Sequence, residues 1–269
     1  MKKTIKIQCP AKINLDLKVV NKRPDGFHNI ESVMQTISLY DYLTITAQKS
    51  DQTRIILNGN STEIPYDEKN IVYKAVKLFL QTCIPEPMQI EIYINKSIPV
   101  SAGLAGGSTN AAGTFFGLNK IFDNILSNTE LHKLCAQLGS DLNFCLKGGC
   151  MQTSGRGEIL SESQYKKQTI NLIKPIDLGI SAKEAYTKFS TKLENHIDID
   201  SRNNFVNDLE WALINDYPQL QHIKAKYPKS IMTGSGSTYF SFDKPFEQEN
   251  GYWVKNGLVT TDSGVSVVE

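Results

Sequence analysis

Residues 98–112 read IPVSAGLAGGSTNAA, a strand-like start that runs into three glycines, two hydroxyl side chains and an apolar, helix-like end. Glycine loosens the backbone just ahead of a predicted helix, which costs conformational order. In return, successive N–H groups can converge on one point, and the helix adds the positive end of its dipole. The stretch therefore fits an anion-binding loop. A tight strand-to-helix turn, in which glycine only permits close packing, fits the spacing equally well.

Two common phosphate-binding patterns do not apply to this loop. The P-loop ends in Gly-Lys-Ser/Thr, whereas residues 106–109 read GGST and contain no lysine. The dinucleotide pattern G-x-G-x-x-G also has a spacing that differs from that of the glycines in 103–107. A second glycine cluster, MTGSGSTYF at 232–240, precedes a strand-like segment. Two such turns indicate two backbone surfaces that close on one ligand.

Composition restricts the partners of the chain. The 269 residues are 40% hydrophobic and 21% charged, which is typical of an ordinary globular protein with one large or two smaller domains. With 29 basic and 28 acidic residues, the net charge of +1 gives no long-range field that attracts nucleic acid or an acidic membrane. The first residues lack the apolar core of a signal peptide, and no apolar run is long enough to span a membrane. We therefore expect a cytoplasmic protein with a small-molecule partner.

The cysteines indicate neither a disulfide framework nor a metal centre. There are five of them and they form no CxxC pair, so we expect reduced thiols within the core. They are Cys9, Cys83, Cys135, Cys145 and Cys150.

The hydrophobic pattern predicts an α+β protein. Apolar residues alternate in segments 5–17, 31–47 and 88–100, as in strands, and they recur at helical spacing from Asp67 to Cys83. A further helix is predicted over 130–138, capped by Thr129 and ended by Gly139. We also predict a helix after the first glycine loop, a hairpin at 148–160 and a helix within 205–218.

Three motifs, in order, resemble those of the GHMP kinases. They are PAKINLDL at 10–17, the glycine loop at 98–112 and MTGSGSTYF at 232–240. Within that superfamily, PAKINL, RPDGFHNIES, LGSD and GRGEIL are most similar to the branch that phosphorylates the C2 hydroxyl of 4-diphosphocytidyl-2-C-methyl-D-erythritol, in the methylerythritol phosphate route to isoprenoid precursors. The resemblance extends from residue 6 to about residue 265.

The resemblance implies a two-domain α+β GHMP kinase fold with the active site in the cleft between the domains. Residues 1–158 would form an ATP-binding domain like domain 2 of ribosomal protein S5. Residues 159–269 would form a ferredoxin-like α+β domain. ATP and Mg²⁺ are the implied cofactors, the cytidylyl-methylerythritol alcohol is the implied substrate, and the enzyme is expected to be a monomer or a homodimer.

The resemblance assigns the chemistry to Lys12 and Asp141. Asp141, in LGSD, would act as the base or orienting group for the substrate hydroxyl. Lys12, in PAKINL, would keep that carboxylate ionised and stabilise charge on the reacting oxygens. The pattern alone favours other roles, with Asp141 as the N-cap of the segment LNFCL and Lys12 as a solvated residue on a strand edge.

The implied substrate site lies around a turn at 22–29. His28 would bind cytosine, and the rings of Phe27 and Tyr186 would stack on it, although a surface histidine and a core tyrosine are the alternatives. Ala182 stands where related chains often have threonine, so Ser181 would supply the missing hydrogen bond. The residues expected at the substrate are Asn14, Phe27, His28, Tyr186 and Ser181.

The implied nucleotide site combines the two glycine clusters with two outlying residues near adenine, Asn70 and Lys96. Ser108 is the expected side chain at Mg²⁺. The residues expected at the nucleotide are Asn70, Lys96, Pro99, Gly103, Leu104, Ala105, Gly106, Gly107, Ser108, Thr109, Asn110, Gly234, Ser235 and Gly236.

Two alternatives remain at this point. The first is a GHMP kinase that acts on another alcohol, such as a sugar phosphate or mevalonate, for which a site for cytosine would serve no purpose. The second is a ligand-sensing member of the fold without catalysis, which would have no need to keep both Lys12 and Asp141.

Overall fold

The computed structural model describes residues 2–268, which form two β-sheets with helices packed against them. The strands are β1 Lys3–Asn14, β2 Lys18–Lys22, β3 His28–Lys49, β4 Arg54–Gly59, β5 Met88–Asn95, β6 Cys150–Ser154, β7 Ile159–Glu162, β8 Thr169–Pro175, β9 Ile231–Met232, β10 Tyr239–Ser241, β11 Tyr252–Val259 and β12 Ser266–Val267. The helices are α1 Ile71–Cys83, α2 Gly106–Ile121, α3 Asn128–Leu138, α4 Leu142–Lys147, α5 Ala182–Glu194, α6 Asp208–Leu213 and α7 Pro218–Lys226. The predicted α+β class is confirmed.

The larger sheet has the order β12-β1-β3-β5-β4, and β2, β6 and β7 extend it along β3. Only the β4–β5 pair is parallel among its described pairs. Strand β5 shows the alternation that the sequence predicts, because Ile90, Ile92 and Ile94 are buried while Glu91 and Tyr93 are exposed. These isoleucines belong to a core that the sheet shares with α1 to α4.

The smaller sheet has the order β11-β8-β10-β9 and is antiparallel. Helices α5, α6 and α7 contribute to a separate core, in which Phe189 packs edge-on against Trp211 with ring centroids 5.7 Å apart. A third apolar cluster, which includes Ile13, Leu104 and Phe240, takes members from both sheets. The two halves of the protein therefore share buried contacts.

Strand pairing within the larger sheet continues beyond residue 158. Strand β7 pairs with β6 in the larger sheet, and β12 returns to pair with β1. The β6–β7 pair confirms the predicted hairpin. We propose a division after β7, with the last strand of the chain belonging to the first half.

An irregularity in β1 sets the direction in which the side chains of the PAKINL motif point. Pro10 has no N–H to donate to the sheet, and the register between β1 and β3 shifts between Pro10 and Ala11. Beyond this bulge, Lys12 and Asn14 lie on the same face of the strand, because side chains repeat every second residue. Both are buried, at 4% and 1% exposure. The interpretation of Lys12 as a solvated edge residue is therefore wrong.

Two helix starts differ from the sequence prediction. Helix α1 begins at Ile71 rather than at Asp67, because the Asn70 side chain accepts the N–H of Val72 as an N-cap. Helix α3 is capped by Ser127 and not by Thr129. Ser127 forms a capping box with Glu130, which satisfies two backbone donors at once. The predicted end of α3 at Gly139 is confirmed.

The cysteines are all free thiols, and four of the five are buried. Burial raises the pKa of Cys135 to about 12, so its thiol stays protonated and unreactive at neutral pH. Within residues 2–268, no helix has the length and apolarity needed to cross a membrane.

Candidate active site

A cavity of about 1080 Å³ lies between the two halves of the protein. One end of the cavity is bounded by the start of α2, and the other end by the turn between β2 and β3 together with α5. Lys12 and Asp141 line the wall between these ends, and Gly234 and Ser235 line it from the second half. The cavity therefore brings all three sequence motifs together.

The first glycine loop enters α2 through left-handed backbone. Ser101, Gly103 and Ala105 have φ values of 50°, 73° and 58°. Ala105 occupies the N-cap position of α2 and provides no side-chain hydrogen bond. The first amides of a helix lack partners within that helix, so an uncapped first turn has donors available for a ligand. Gly106, Gly107 and Ser108 line the cavity at this turn.

Gly103, in the second motif, contacts both the first and the third motif. A Cβ at this position would overlap the carbonyl oxygen of Thr233, and would lie 3.0 Å from the amide of Gly236. The Gly103 carbonyl also accepts hydrogen bonds from the Lys12 ammonium at 3.2 Å and from the Thr233 hydroxyl at 3.4 Å. Glycine is required here both for the positive φ and for the close approach.

Lys12 and Asp141 form an ion pair in the wall of the cavity. The Lys12 Nζ lies 3.4 Å from Oδ2 of Asp141 and donates to Oδ1 of Asn14 at 2.6 Å. The Asp141 side chain is 29% exposed, whereas that of Lys12 is 5% exposed. Asp141 occupies the N-cap position of α4 but makes no capping hydrogen bond. The predicted N-cap position is therefore correct, but the carboxylate caps no backbone N–H and lines the cavity instead.

Neighbouring residues fix the orientation of Asn14. Its amide nitrogen donates to the hydroxyl of Ser32 at 2.8 Å, while its backbone N–H donates to the hydroxyl of Thr233, also at 2.8 Å. Asn207 binds the backbone of the third motif. Its side chain donates to the carbonyls of Met232 and Gly234 at 2.7 and 2.9 Å.

Aromatic side chains form the other end of the cavity. The His28 ring stacks on Tyr186, with centroids 5.1 Å apart and planes inclined by 16°. Its Nε2 lies 2.9 Å from the hydroxyl of Ser190. Phe27 is 53% exposed and lies beneath the guanidinium of Arg156, 5.0 Å from the ring centroid. The two rings predicted to stack on a base therefore have separate partners in this structure.

Burial sets the protonation of the aromatic end. Desolvation lowers the pKa of His28, and the Lys22 ammonium lowers it further, so the imidazole is held neutral at pH 7. Desolvation also raises the pKa of the Tyr186 hydroxyl, and the Asp141 carboxylate adds to this. The Tyr186 hydroxyl therefore stays protonated at neutral pH.

Most of the expected site residues line the cavity, but three do not. Leu104 and Thr109 are buried at 1% and 0% exposure, and Gly236 packs against Met232 behind the loop. Other expected residues line the cavity with side chains that already have partners. Asn70 caps α1 and donates to the Pro65 carbonyl, Ser181 caps α5, and Lys96 pairs with Asp41.

Several residues of the site were not predicted from the sequence. Asp41, Thr233 and Asn207 had no expected role, although all three are fully buried. Asp41 gave a usable signal, because an acidic residue within the apolar alternation of segment 31–47 requires a buried partner. Asn207 is the N-cap of α6, and nothing in the local sequence indicated its contacts with the third motif.

The fold and the match to known families define the class of protein. Residues 70–151 match the family of GHMP kinases, N terminal domain. The structure aligns with a crystal structure of 4-(cytidine 5'-diphospho)-2C-methyl-D-erythritol kinase with a TM-score of 0.71 and 23% identity, over 97% of this chain and 100% of that chain. The fold is therefore that of the GHMP kinases, as the three motifs predicted.

Sequence relatives narrow the assignment. The chain is 40% identical over 260 residues to 4-diphosphocytidyl-2-C-methyl-D-erythritol kinase of Clostridium tetani, which covers 88% of this chain and 90% of that protein. It is 37% identical over 268 residues to the same-named kinase of Syntrophomonas wolfei, with 92% of each chain covered. The chain belongs to the 4-diphosphocytidyl-2-C-methyl-D-erythritol kinase family.

Proposed function

We propose that this protein transfers the γ-phosphoryl group of ATP to the C2 hydroxyl of 4-diphosphocytidyl-2-C-methyl-D-erythritol. The observation that carries the proposal is the Lys12–Asp141 pair, with its 3.4 Å separation, in the wall between an uncapped helix start and an aromatic pocket. Family membership supports the choice of alcohol.

The start of α2 supports binding of the triphosphate. Backbone amides and the helix dipole favour anions at such a position. Gly107 leaves room for a ligand, because the nearest atom to a Cβ built there is Cγ2 of Ile71 at 3.8 Å. We propose that the phosphate oxygens of ATP accept hydrogen bonds from the amides of Gly106, Gly107 and Ser108.

The donors at this turn also fit Mg²⁺. The cation is usually held by substrate phosphates with few protein oxygens, and the Ser108 hydroxyl at the cavity wall offers one hard oxygen ligand. When bound, Mg²⁺ supplies positive charge that neutralises the phosphate oxygens. We propose Ser108 as the side chain that holds it.

Asp141 and Lys12 then act on the alcohol. The Asp141 carboxylate accepts the proton of the C2 hydroxyl as the oxygen–phosphorus bond forms, and ADP leaves with the electrons of the bond that breaks. The Lys12 ammonium stabilises the negative charge that develops on the transferring group. Asn14 and the Gly103 carbonyl hold Lys12 in place for this role.

The aromatic end selects the substrate through its cytosine. Because Nε2 of His28 faces Ser190, we propose that Nδ1 is the ring nitrogen that bonds the base. Phe27 offers an exposed ring face on which cytosine can stack once Arg156 moves aside. A base pocket of this kind has a purpose only if the alcohol carries a nucleoside.

His28→Ala tests the cytosine contact. We expect KM for the cytidylyl alcohol to rise about tenfold, as for the loss of one hydrogen bond and part of a stacked ring, while KM for ATP stays unchanged. Steady-state kinetics with each substrate varied in turn measures both constants.

His222→Ala is the matched control for this variant. His222 also stacks on a tyrosine, Tyr252, with centroids 5.5 Å apart, but it does not line the cavity. Both constants are expected to keep their wild-type values in this control. A wild-type KM for the alcohol in His28→Ala would remove His28 from substrate recognition.

A further inference from the structure

A buried carboxylate lies beneath the first glycine loop. Asp41, in the middle of β3, has no exposed surface. Its Oδ1 accepts the backbone N–H groups of Ser97 and Ile98, at 2.7 and 2.9 Å, where the chain leaves β5 and enters the loop. Its Oδ2 accepts the ammonium group of Lys96. One side chain thus binds three consecutive residues, 96–98, where the loop begins.

Lys96 carries this contact on to α2. Its Nζ donates to Oδ1 of Asn110, within the second turn of the helix, at 3.2 Å. A Cβ built on Gly106 would lie 2.9 Å from the same Nζ, so the ammonium group packs directly behind the first turn of α2. The Lys96 side chain is 7% exposed. Lys96 therefore supports the helix start, and its position near adenine stays a prediction.

Because both charges are buried, the Asp41–Lys96 pair is sensitive to substitution of either residue. A buried ammonium or carboxylate is tolerated only while it is paired and hydrogen-bonded, and removal of one partner leaves the other uncompensated. The ammonium group of Lys96 also lies directly behind amides that are proposed to bind phosphate. A shift of Lys96 or of the loop start would move Gly106 and the amides that follow it.

We propose that Asp41 is the positioning residue of the nucleotide-binding loop and that it sets the affinity for ATP without touching the nucleotide. This inference rests on the proposed function, because it assumes that the start of α2 binds the phosphates of ATP. The inference differs from a general contribution to stability, since Asp41 binds the start of the loop and Lys96 but lies outside the cavity wall.

Asp41→Asn tests the inference. Asparagine keeps an oxygen for the two amides, but it loses the charge that faces Lys96. We expect the Kd for the non-hydrolysable ATP analogue AMP-PNP, measured by isothermal titration calorimetry, to rise about tenfold to a hundredfold. We expect KM for the cytidylyl alcohol to stay within about twofold of the wild-type value.

Asp208→Asn is the matched control. Asp208 is equally buried, accepts the backbone N–H of Val19, and pairs with Arg202 and Lys18, away from the loop. Both substitutions are expected to lower the unfolding temperature, but only Asp41→Asn is expected to weaken AMP-PNP binding. An unchanged Kd in folded Asp41→Asn, or an equal rise in Asp208→Asn, would overturn the proposal.

The double variant Asp41→Asn/Lys96→Met keeps the test valid if the single variant does not fold. It leaves no unpaired buried charge, so we expect it to be more stable than Asp41→Asn while its Kd for AMP-PNP stays raised. A wild-type Kd in this folded double variant would overturn the proposal. If the wild-type protein itself binds AMP-PNP but phosphorylates another alcohol, the proposed function fails while the role of Asp41 is still tested. If the wild type binds no AMP-PNP, both fail.

Discussion

Asp141→Asn is expected to lower kcat by about 10²–10⁴-fold, the usual contribution of a positioned general base. Asparagine has nearly the same shape, but it cannot take the proton from the C2 hydroxyl, and it leaves Lys12 without its 3.4 Å counterion. The proposed nucleotide contacts lie on α2, so binding of AMP-PNP should be retained. Single-turnover phosphoryl transfer, together with the thermal shift caused by AMP-PNP, measures the two effects separately.

The variant Lys12→Met and the double variant Lys12→Met/Asp141→Asn provide the control for this prediction. Groups that act as a unit lose activity non-additively, so the double variant should be little slower than the slower single variant. Wild-type turnover in Asp141→Asn would remove Asp141 from the mechanism. Fully additive losses would show that Lys12 and Asp141 act independently.

Gly103→Ala should disable both the nucleotide site and the catalytic lysine. The added Cβ would overlap the Thr233 carbonyl, and the positive φ of 73° is itself unfavourable for alanine. Relief of this contact must move the glycine loop away from the third motif, and with it the Gly103 carbonyl that holds Lys12 at 3.2 Å. We expect kcat/KM for ATP to fall by about a hundredfold or more, as for the misplacement of a catalytic group by about 1 Å.

Gly257→Ala is the matched control, because Gly257 has the same φ of 73° and a Cβ added there would have no neighbouring atom within 4 Å. It carries only the backbone cost of roughly 1–2 kcal/mol for an L-residue in the left-handed region. Its kinetic constants should equal those of the wild type. If both variants lose the same activity, the close contact at Gly103 has no special role.

Local patterns in the sequence predicted much of the fold. Alternating isoleucines identified β5, and the spacing of apolar residues identified α1 to within four residues of its start. The error at α3 came from neighbouring capping residues, since both Ser127 and Thr129 can cap a helix. The position of Glu130 three residues after Ser127 decides between them.

The site was predictable only where its residues lie in motifs. The contact between the Asn14 N–H and the Thr233 hydroxyl joins residues 219 positions apart, and the Asp41–Lys96 pair spans 55 positions. Such contacts follow from how the strands are ordered in the sheets, which periodicity does not reveal. Resemblance to a family supplied Lys12 and Asp141, where pattern alone favoured a solvated lysine and a helix cap.

The aromatic end shows a second limit of sequence reasoning. Phe27, His28 and Tyr186 were expected to meet one base, and all three line the cavity. Their mutual arrangement depends on partners that no motif specifies, namely Ser190 for His28 and Arg156 for Phe27. Residue types were therefore easier to predict than pairings.

The most direct test of the central claim is to identify the alcohol that accepts the phosphoryl group. Purified protein is incubated with ATP and, separately, with the cytidylyl-methylerythritol alcohol, mevalonate and a sugar phosphate, and the products are examined by ³¹P NMR. We predict ADP and a new phosphomonoester with the cytidylyl alcohol alone. Its resonance should lack splitting by a carbinol proton, because C2 bears no hydrogen. Transfer to mevalonate or to the sugar phosphate instead, or a signal split by a carbinol proton, would contradict the account.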